Sequence, residues 1–298
     1  MHTPPMVGFT LQPNERYMDL LGGLLRTGPD YFEVAPETTW RRRSDGALVP
    51  NGYSQAFEAL SEETGKPLVA HGVGFSVGSA SPNPERRQRW LDALAADHAR
   101  RPFLWYTDHL GASVLGDAEV TLPLALPHTT EAADAVAASL RAMATVVPDV
   151  GFENSVFYFH VDDPQAESEF YRRCLQADNA HWLLDLHNLH TTAVNTGIDP
   201  HAWLGAAPLE RVIEIHVSGG SWSEPGWLPS KRSLRLDSHE GAVPEEVWAL
   251  LAEVLPRCPN LRGVTLERME GTVEAADVPL LEAELARVRK TVESCHAR

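Results

Sequence analysis

The chain has 298 residues, 43% of them hydrophobic, which is enough for a sizeable core in one large barrel or two ordinary domains. Its 25 Lys and Arg against 41 Asp and Glu give a formal net charge of -16, which repels phosphate backbones and anionic membranes. Nucleic acid and membranes are therefore disfavoured partners. Because the sequence shows neither a secretory signal pattern nor about 18 consecutive apolar residues, we expect a cytoplasmic protein.

The cysteines do not suggest a structural or catalytic thiol. Cys174, Cys258 and Cys295 are odd in number and far apart, and none stands in a Cys-x-x-Cys spacing. This arrangement predicts neither a disulfide framework nor a thiolate zinc site. We expect other residue types to carry the chemistry of this protein.

Short apolar runs alternate with helix-like segments in the order that β/α units require. The predicted strands are 6–11, 31–35, 67–73, 103–109, 150–154, 181–188, 211–217 and 263–268. The predicted helices are 14–28, 81–100, 129–147, 164–177, 200–206, 244–255 and 273–295. Eight strands without a compositional break predict an α/β fold, a single (β/α)8 TIM-barrel domain over residues 1–298. The long connections 36–54, 110–128 and 218–243 then become loops on its C-terminal face.

Six consecutive predicted strands end in an imidazole or a carboxylate. In chain order these residues are His71, Asp108 with His109, Glu153 with Asn154, Asp185 with His187 and Asn188, Glu214 with His216, and Glu267. Any one of them alone is more often a hydrogen-bonded structural residue than a ligand. Together at one mouth they would bury several like charges, which costs free energy unless a cation compensates them.

Nitrogen and oxygen ligands without thiolate suit zinc, manganese or iron. Asp237 and His239, two residues apart in a long loop, can reach the same mouth from above. The ligands then outnumber the needs of one ion, so we predict two or three ions with bridging carboxylates such as Glu153.

Four further residues are candidates for substrate contacts. Glu33 and Glu37 lie near the end of the second predicted strand, and Trp222 and Trp227 lie in the loop after the strand of Glu214. Indole rings in such a loop are suited to line a pocket. We do not expect Glu33 or Glu37 to be ligands.

Seven short motifs follow one another along the chain, six in the third to eighth predicted strands and one in a loop. They are His-Gly-Val-Gly-Phe-Ser from His71, Asp-His-Leu from Asp108, Phe-Glu-Asn from Phe152, Leu-Leu-Asp-Leu-His-Asn-Leu from Leu183, Glu-Ile-His-Val-Ser-Gly-Gly from Glu214, Asp-Ser-His-Glu-Gly-Ala-Val-Pro from Asp237 and Leu-Glu-Arg from Leu266. In this joint order they resemble the multinuclear non-heme iron-dependent oxidative enzymes. The resemblance covers about residues 7–270 and implies a TIM barrel that holds two or three irons, mixed Fe(II) and Fe(III), with dioxygen as co-substrate.

The resemblance also implies the site residues and the substrate. The expected iron ligands or their immediate neighbours are His71, His109, Glu153, Asp185, Asn188, His216, Asp237, His239 and Glu267, of which Asp237 and His239 are also predicted to be catalytic. His187 and Glu214 are weaker candidates. Members of the family often have another residue at the position of His187, and Glu214 lies deeper in its strand. The implied substrate is a ribosomally synthesised peptide, modified at cysteine or another residue and presented by a small partner protein.

Other functions stay open on the residues alone. Sugar isomerases and epimerases, and phosphodiesterases like endonuclease IV, use divalent metals in similar barrels. The short basic run from Arg41 to Arg43 is too small for a nuclease against a charge of -16. A non-catalytic metal-binding partner subunit is a further alternative, in which protein ligands would saturate the ions.

Overall fold

Eight parallel strands close into a barrel in the computed structural model, which describes residues 4–79, 83–115, 118–158 and 166–296. Each strand pairs with the next one along the chain, and the last pairs with the first. The strands are β1 Met6–Leu11, β2 Tyr31–Val34, β3 Leu68–Gly72, β4 Phe103–His109, β5 Val150–Glu153, β6 Ala180–Asp185, β7 Val212–Val217 and β8 Gly263–Leu266. The predicted α/β fold, a (β/α)8 TIM barrel, is confirmed, and each of the eight strands overlaps its predicted range.

Helices cover the outside of the barrel, which buries both faces of strands such as β7. They are α1 Glu15–Thr27, α2 Gly52–Thr64, α3 Pro84–Arg100, α4 Thr130–Met143, α5 Glu167–Cys174, α6 Leu186–Thr196, α7 Pro200–Ala206, α8 Glu245–Val254 and α9 Val278–His296. Asn14 and Thr129 cap α1 and α4 as predicted, each by accepting a hydrogen bond from a first-turn amide. The predicted helix starts at Ser81 and Pro164 lie outside the described residues.

The structure differs from the sequence prediction in two segments. Helices α2 and α6 lie where no helix is predicted, and the predicted strand 181–188 is wrong in its last three residues. The chain turns into α6 directly after Asp185, whose carboxylate accepts a hydrogen bond from the backbone amide of Asn188 at 2.6 Å. His187 and Asn188 therefore lie on the first turn of a helix, at the C-terminal end of β6.

Each of the three long connections on the C-terminal face contains an antiparallel hairpin. The paired segments are Trp40–Arg42 with Leu48–Pro50, Ala112–Leu115 with Ala118–Leu124, and Ser221–Trp222 with Arg235–Leu236. The third hairpin belongs to residues 218–244, which we call the β7–α8 loop. These hairpins stand above the strand ends that carry the predicted ligands.

A small apolar cluster of Tyr31, Val69, Trp105 and Ile213 lies apart from the main core. Its two large rings meet edge to face, with centroids 5.5 Å apart. Both rings carry a polar atom that reaches the fully buried Glu214: the Tyr31 hydroxyl at 2.8 Å and the Trp105 indole nitrogen at 2.6 Å. The cluster thus forms a floor beneath the strand ends. Among the described helices, none is long and apolar enough to cross a membrane.

Candidate metal centre

His71 and His109, at the ends of β3 and β4, meet the carboxylate of Glu153 at the end of β5. The Nε2 atoms of His109 and His71 lie 2.9 and 3.4 Å from Oε2 of Glu153. We call these residues the two-histidine group. Their other ring nitrogens are held in place, since His71 Nδ1 lies 2.9 Å from the Thr107 hydroxyl and His109 Nδ1 lies 3.1 Å from the Gly72 carbonyl. A carbonyl only accepts, so it keeps the proton on Nδ1 and leaves Nε2 of His109 free to bind a cation.

Glu153, Asp185, His216 and Glu267 form a second group, which we call the central group. These residues are buried, and one candidate ligand atom from each lies within 4.8 Å of the others. The Nδ1 atom of His216 is 3.0 Å from Glu267 and 4.0 Å from Asp185. Its Nε2 atom lies 2.8 Å from the carboxylate of Glu33, to which it can donate a hydrogen bond. This contact directs the lone pair of Nδ1 toward the central group.

Asp237, His239 and His187 form a third group, the loop group, at the edge of the central group. The Nε2 atom of His239 lies 2.8 Å from Oδ1 of Asp237 and 3.8 Å from Oε2 of Glu267. The Nδ1 atom of His187 lies 3.3 Å from Oδ1 of Asp237. His239 has a φ of 48°, a left-handed conformation that is uncommon for residues other than glycine. The Tyr158 hydroxyl approaches the backbone of Asp237 from the β5 side.

The three groups share a shortage of hydrogen-bond partners. Within the described part of the chain, eight of their residues or close neighbours have a buried atom without one: Glu153 Oε2, Asp185 Oδ2, His187 Nδ1, Asn188 Oδ1, His216 Nδ1, Asp237 Oδ1, His239 Nε2 and Glu267 Oε2. Some of these atoms lie close to one another, as His239 Nε2 lies 2.8 Å from Oδ1 of Asp237, but the contacts lack the geometry of a hydrogen bond. Folded proteins leave few buried polar atoms without hydrogen bonds, and each such atom costs free energy. These nitrogen and oxygen atoms converge on one mouth, as the ligands of several cations would.

The pKa values of the site residues reflect a shortage of positive charge beside the buried carboxylates. Burial by itself would lower the pKa of His109, but the carboxylate of Glu153 raises this pKa to about 10. Burial would also raise the pKa of Glu267, yet neighbouring imidazoles, His216 above all, hold it at about 2. Burial and three nearby carboxylates, those of Glu153, Glu267 and Asp237, raise the pKa of Asp185 well above its usual value. Protons therefore balance the carboxylates, and bound cations would displace them.

Glu214 lies beneath His216, and one candidate ligand atom each from Glu214, Glu33 and His216 lies within 4.8 Å of the others. Its carboxylate accepts hydrogen bonds from Tyr31 at 2.8 Å, Thr265 at 2.6 Å and Trp105 at 2.6 Å. Its Oε1 atom also lies 3.7 Å from Nε2 of His216. With three donors satisfied, Glu214 supplies a fixed negative charge beneath His216.

Asn188 connects Glu153 of the central group with the backbone of Asn154. Its Nδ2 atom donates hydrogen bonds to Oε1 of Glu153 at 3.2 Å and to the carbonyl of Asn154 at 3.1 Å. The amide therefore orients the Glu153 carboxylate, while its own Oδ1 atom is without a hydrogen-bond partner among the described residues.

The four residues predicted to contact substrate occupy two different environments. Glu33 is buried beside His216, and Glu37 accepts hydrogen bonds from the backbone amides of Val73 and Gly74 at 2.6 and 3.0 Å. These positions give both carboxylates a protein partner and do not favour a substrate contact. Trp222 and Trp227 are 57% and 61% exposed in the β7–α8 loop, so their rings are accessible.

Several residues that orient the site are not among the predicted ligands. Asn154 is the clearest, because its Oδ1 accepts from the Trp182 indole at 3.1 Å and the Asp185 amide at 2.9 Å, and its Nδ2 donates to the Asp185 carbonyl at 2.9 Å. Thr107, Tyr158 and Arg235 also touch candidate ligands. A polar residue directly after a ligand, as Asn154 follows Glu153, is the one sequence feature that points to this role.

Fold and site together define a closed α/β barrel whose C-terminal mouth carries buried groups able to hold metal ions. The chain belongs to the family of RiPP precursor modification enzymes MbnB/TglH/ChrH, whose sequence model matches residues 7–293. This membership makes the protein an enzyme of peptide modification by class and confirms the resemblance seen in the motifs.

Individual relatives and solved structures are similar to most of the chain. A UPF0276 protein of Caulobacter vibrioides is 31% identical over 225 residues, which cover 75% of this chain and 76% of the relative. Among solved structures, 3-keto-D-glucoside 4-epimerase from E. coli has a TM-score of 0.57 at 17% identity and covers 95% of this chain and 99% of that one. L-ribulose 3-epimerase has a TM-score of 0.59 at 13% identity, with 98% and 96% covered. At these identities the structural similarity shows the barrel fold alone.

Proposed function

We propose that the protein is a multinuclear non-heme iron enzyme that uses dioxygen to oxidise a cysteine of a ribosomally synthesised peptide. The observation that carries this proposal is the set of buried nitrogen and oxygen atoms without hydrogen bonds that converge on one mouth, four of which belong to the central group. Family membership supplies the peptide as the class of substrate. Iron, when bound, contributes one-electron chemistry with dioxygen and positive charge that stabilises a thiolate.

The three groups match a site for two or three ions. The two-histidine group and the central group would hold one ion each, joined by Glu153, and the loop group would hold the third. Imidazole and carboxylate ligands without cysteine suit iron in both oxidation states better than they suit copper(I). The outer contacts of Glu33, Gly72 and Thr107 keep the ligand histidines in one orientation, which a redox site needs because its geometry must survive changes of charge.

The approach of the substrate follows from exposure. The side chains of Asp237 and His239 are 17% and 15% exposed, whereas those of Asp185 and His216 are fully buried. A peptide that enters from solvent therefore reaches the loop group before the central group. There the carboxylate of Asp237, whose Oδ1 faces His239, keeps a second oxygen that can take up the proton of an incoming thiol, and His239 positions that carboxylate; this is the catalytic role that we propose for the pair. The β7–α8 loop, with its exposed tryptophans, forms the adjoining wall.

The test combines metal analysis with peptide chemistry. Protein purified without oxygen should contain two or three irons per chain, and Mössbauer spectra after partial oxidation should show both Fe(II) and Fe(III). A short cysteine-containing precursor encoded next to the gene should then change mass with dioxygen and keep its mass without it. Adding a small peptide-binding protein from the same locus tests whether a partner presents the substrate.

Two outcomes would contradict the proposal. Colourless protein that carries stoichiometric zinc and stays inactive after iron reconstitution would exclude the oxidase. Turnover of a sugar with Mn or Mg in the absence of dioxygen would favour an epimerase, the class found among the structural neighbours.

A further inference from the structure

Arg235 holds a positive charge beside the candidate metal centre in an unusual setting. It pairs with Trp222 across the hairpin of the β7–α8 loop, and its guanidinium lies 5.8 Å from the centroid of that indole. On its other side, its Nη2 atom lies 3.4 Å from Nε2 of His187. The residue is only 8% exposed. The guanidinium therefore lies between the exposed ring of Trp222 and the imidazole of His187.

This charge has no ion-pair partner in direct contact. Within the described residues, no carboxylate oxygen lies within 4.0 Å of Arg235, the carboxylates of Glu246 and Glu240 act on it only from a greater distance, and its buried Nε atom has no hydrogen-bond partner. Arg268, which is buried next to the ligand Glu267, contrasts with it, because it donates to the carbonyls of Gly241 and Thr272 and lies 4.0 Å from Asp277. A buried guanidinium without an anion costs free energy, so the position calls for one.

The side chain of Asn195 holds the backbone of Arg235 in place. The backbone amide of Arg235 donates to Oδ1 of Asn195 at 2.8 Å, and Nδ2 of Asn195 donates to the Arg235 carbonyl at 2.9 Å. A Cβ atom at Gly220 would lie 2.5 Å from Nε2 of His187, so only glycine leaves room for the imidazole against which the guanidinium rests. The charge is thus held rigidly at the border of the site, an arrangement suited to binding.

We propose that Arg235 binds a carboxylate of the substrate peptide, with the ring of Trp222 along the same stretch of peptide. The proposal rests on the proposed function for its occupant, a peptide. A carboxylate matches the planar fork of a guanidinium in shape and in charge, whereas a cationic or neutral group would leave the charge uncompensated. Because one imidazole separates Arg235 from Asp237, and an extended chain spans about 3.3–3.6 Å per residue, the carboxylate lies within about three residues of the modified position.

The experiment uses two small probes, N-acetylglycine and N-acetylglycinamide, which differ in the carboxylate alone. Dissociation constants from saturation-transfer NMR with the metal-loaded protein should favour N-acetylglycine by about tenfold, as expected for a hydrogen-bonded ion pair. In Arg235→Gln this preference should disappear, and in Arg235→Lys it should fall to an intermediate value. Lys231→Gln, which removes an exposed charge from the same loop, should keep the full preference.

Three results would overturn the carboxylate site: no preference in the unmodified protein, no binding of either probe, or a preference that survives in Arg235→Gln and so belongs to the metal ions. Thermal unfolding and metal content of each variant show that the fold and the centre are intact, and Arg235→Lys provides the comparison if Arg235→Gln does not fold. The two proposals fail separately. Absence of iron, or of the dioxygen-dependent mass change, refutes the oxidase but does not alter the carboxylate preference, which is measured with small probes.

Discussion

The candidate ligands on the barrel strands and those on the β7–α8 loop are held in different ways. His216 at the end of β7 is fully buried and has both nitrogens beside carboxylates, while His239 is partly exposed and adopts a left-handed backbone conformation. Hydrogen bonds across the sheet fix β7, whereas the loop is attached mainly through its hairpin and its neighbours. The strand ends thus supply a permanent frame, and the loop supplies ligands that a substrate can approach.

Glu153→Gln is the change that should break the strand-end frame most completely. The carboxylate faces His71 and His109 with one oxygen and His216 with the other, so its loss affects two groups at once. We expect elemental analysis to show that the two-histidine and central groups lose their ions, and activity to fall by about 100-fold or more. Glu282→Gln, an exposed residue of α9, should change neither quantity. Full metal content in Glu153→Gln would contradict the shared-carboxylate arrangement.

His239→Ala should have a smaller effect, confined to the loop group. We expect the metal content to drop by about one ion per chain while the other two groups stay filled, because their ligands come from the barrel strands. Substrate turnover should be lost with that ion. His201→Ala removes an exposed imidazole of α7 and serves as the control. Equal metal loss in His239→Ala and Glu153→Gln would show that the two regions are not distinct.

Glu214→Gln tests the frame at a carboxylate that accepts three hydrogen bonds within the barrel. The amide nitrogen of glutamine would face hydroxyl or indole donors, so we expect a destabilisation of about 1–3 kcal/mol in chemical denaturation. Removing the negative charge beneath His216 should also weaken metal binding by about tenfold, the lower end of what outer contacts usually contribute. Competition with a coloured chelator measures the affinity. An unchanged affinity would mean that Glu214 serves the barrel interior alone.

Trp227→Ala should have the smallest effect on the centre. The ring is 61% exposed, so metal content should stay the same and stability should change by no more than about 0.5 kcal/mol. The expected loss is in peptide affinity, measured by calorimetry. Trp203→Ala is the contrasting variant, because this indole is 8% exposed and its removal should cost about 3–5 kcal/mol. A Trp227→Ala variant with unaltered peptide binding would remove this ring from the substrate path.

The sequence predicts the frame better than it predicts the contacts within it. Alternating apolar runs and helix caps are local patterns, which explains why all eight strands and the caps at Asn14 and Thr129 could be predicted. The contact between Glu33 and His216 joins residues 183 positions apart, and no local pattern contains it. His187 illustrates a second limit, because its motif reads as a continuing strand until the capping role of Asp185 is known.

Glu153 directs one oxygen to each of two groups, which couples their occupancy. An ion held in one group would orient the shared carboxylate for the neighbouring group. By thermodynamic reciprocity, filling either group would then raise the affinity of the other by the same factor. The centre should therefore fill over a narrow range of free metal concentration. Each protein molecule would then hold either its full set of ions or none, and only the fully loaded form would be active.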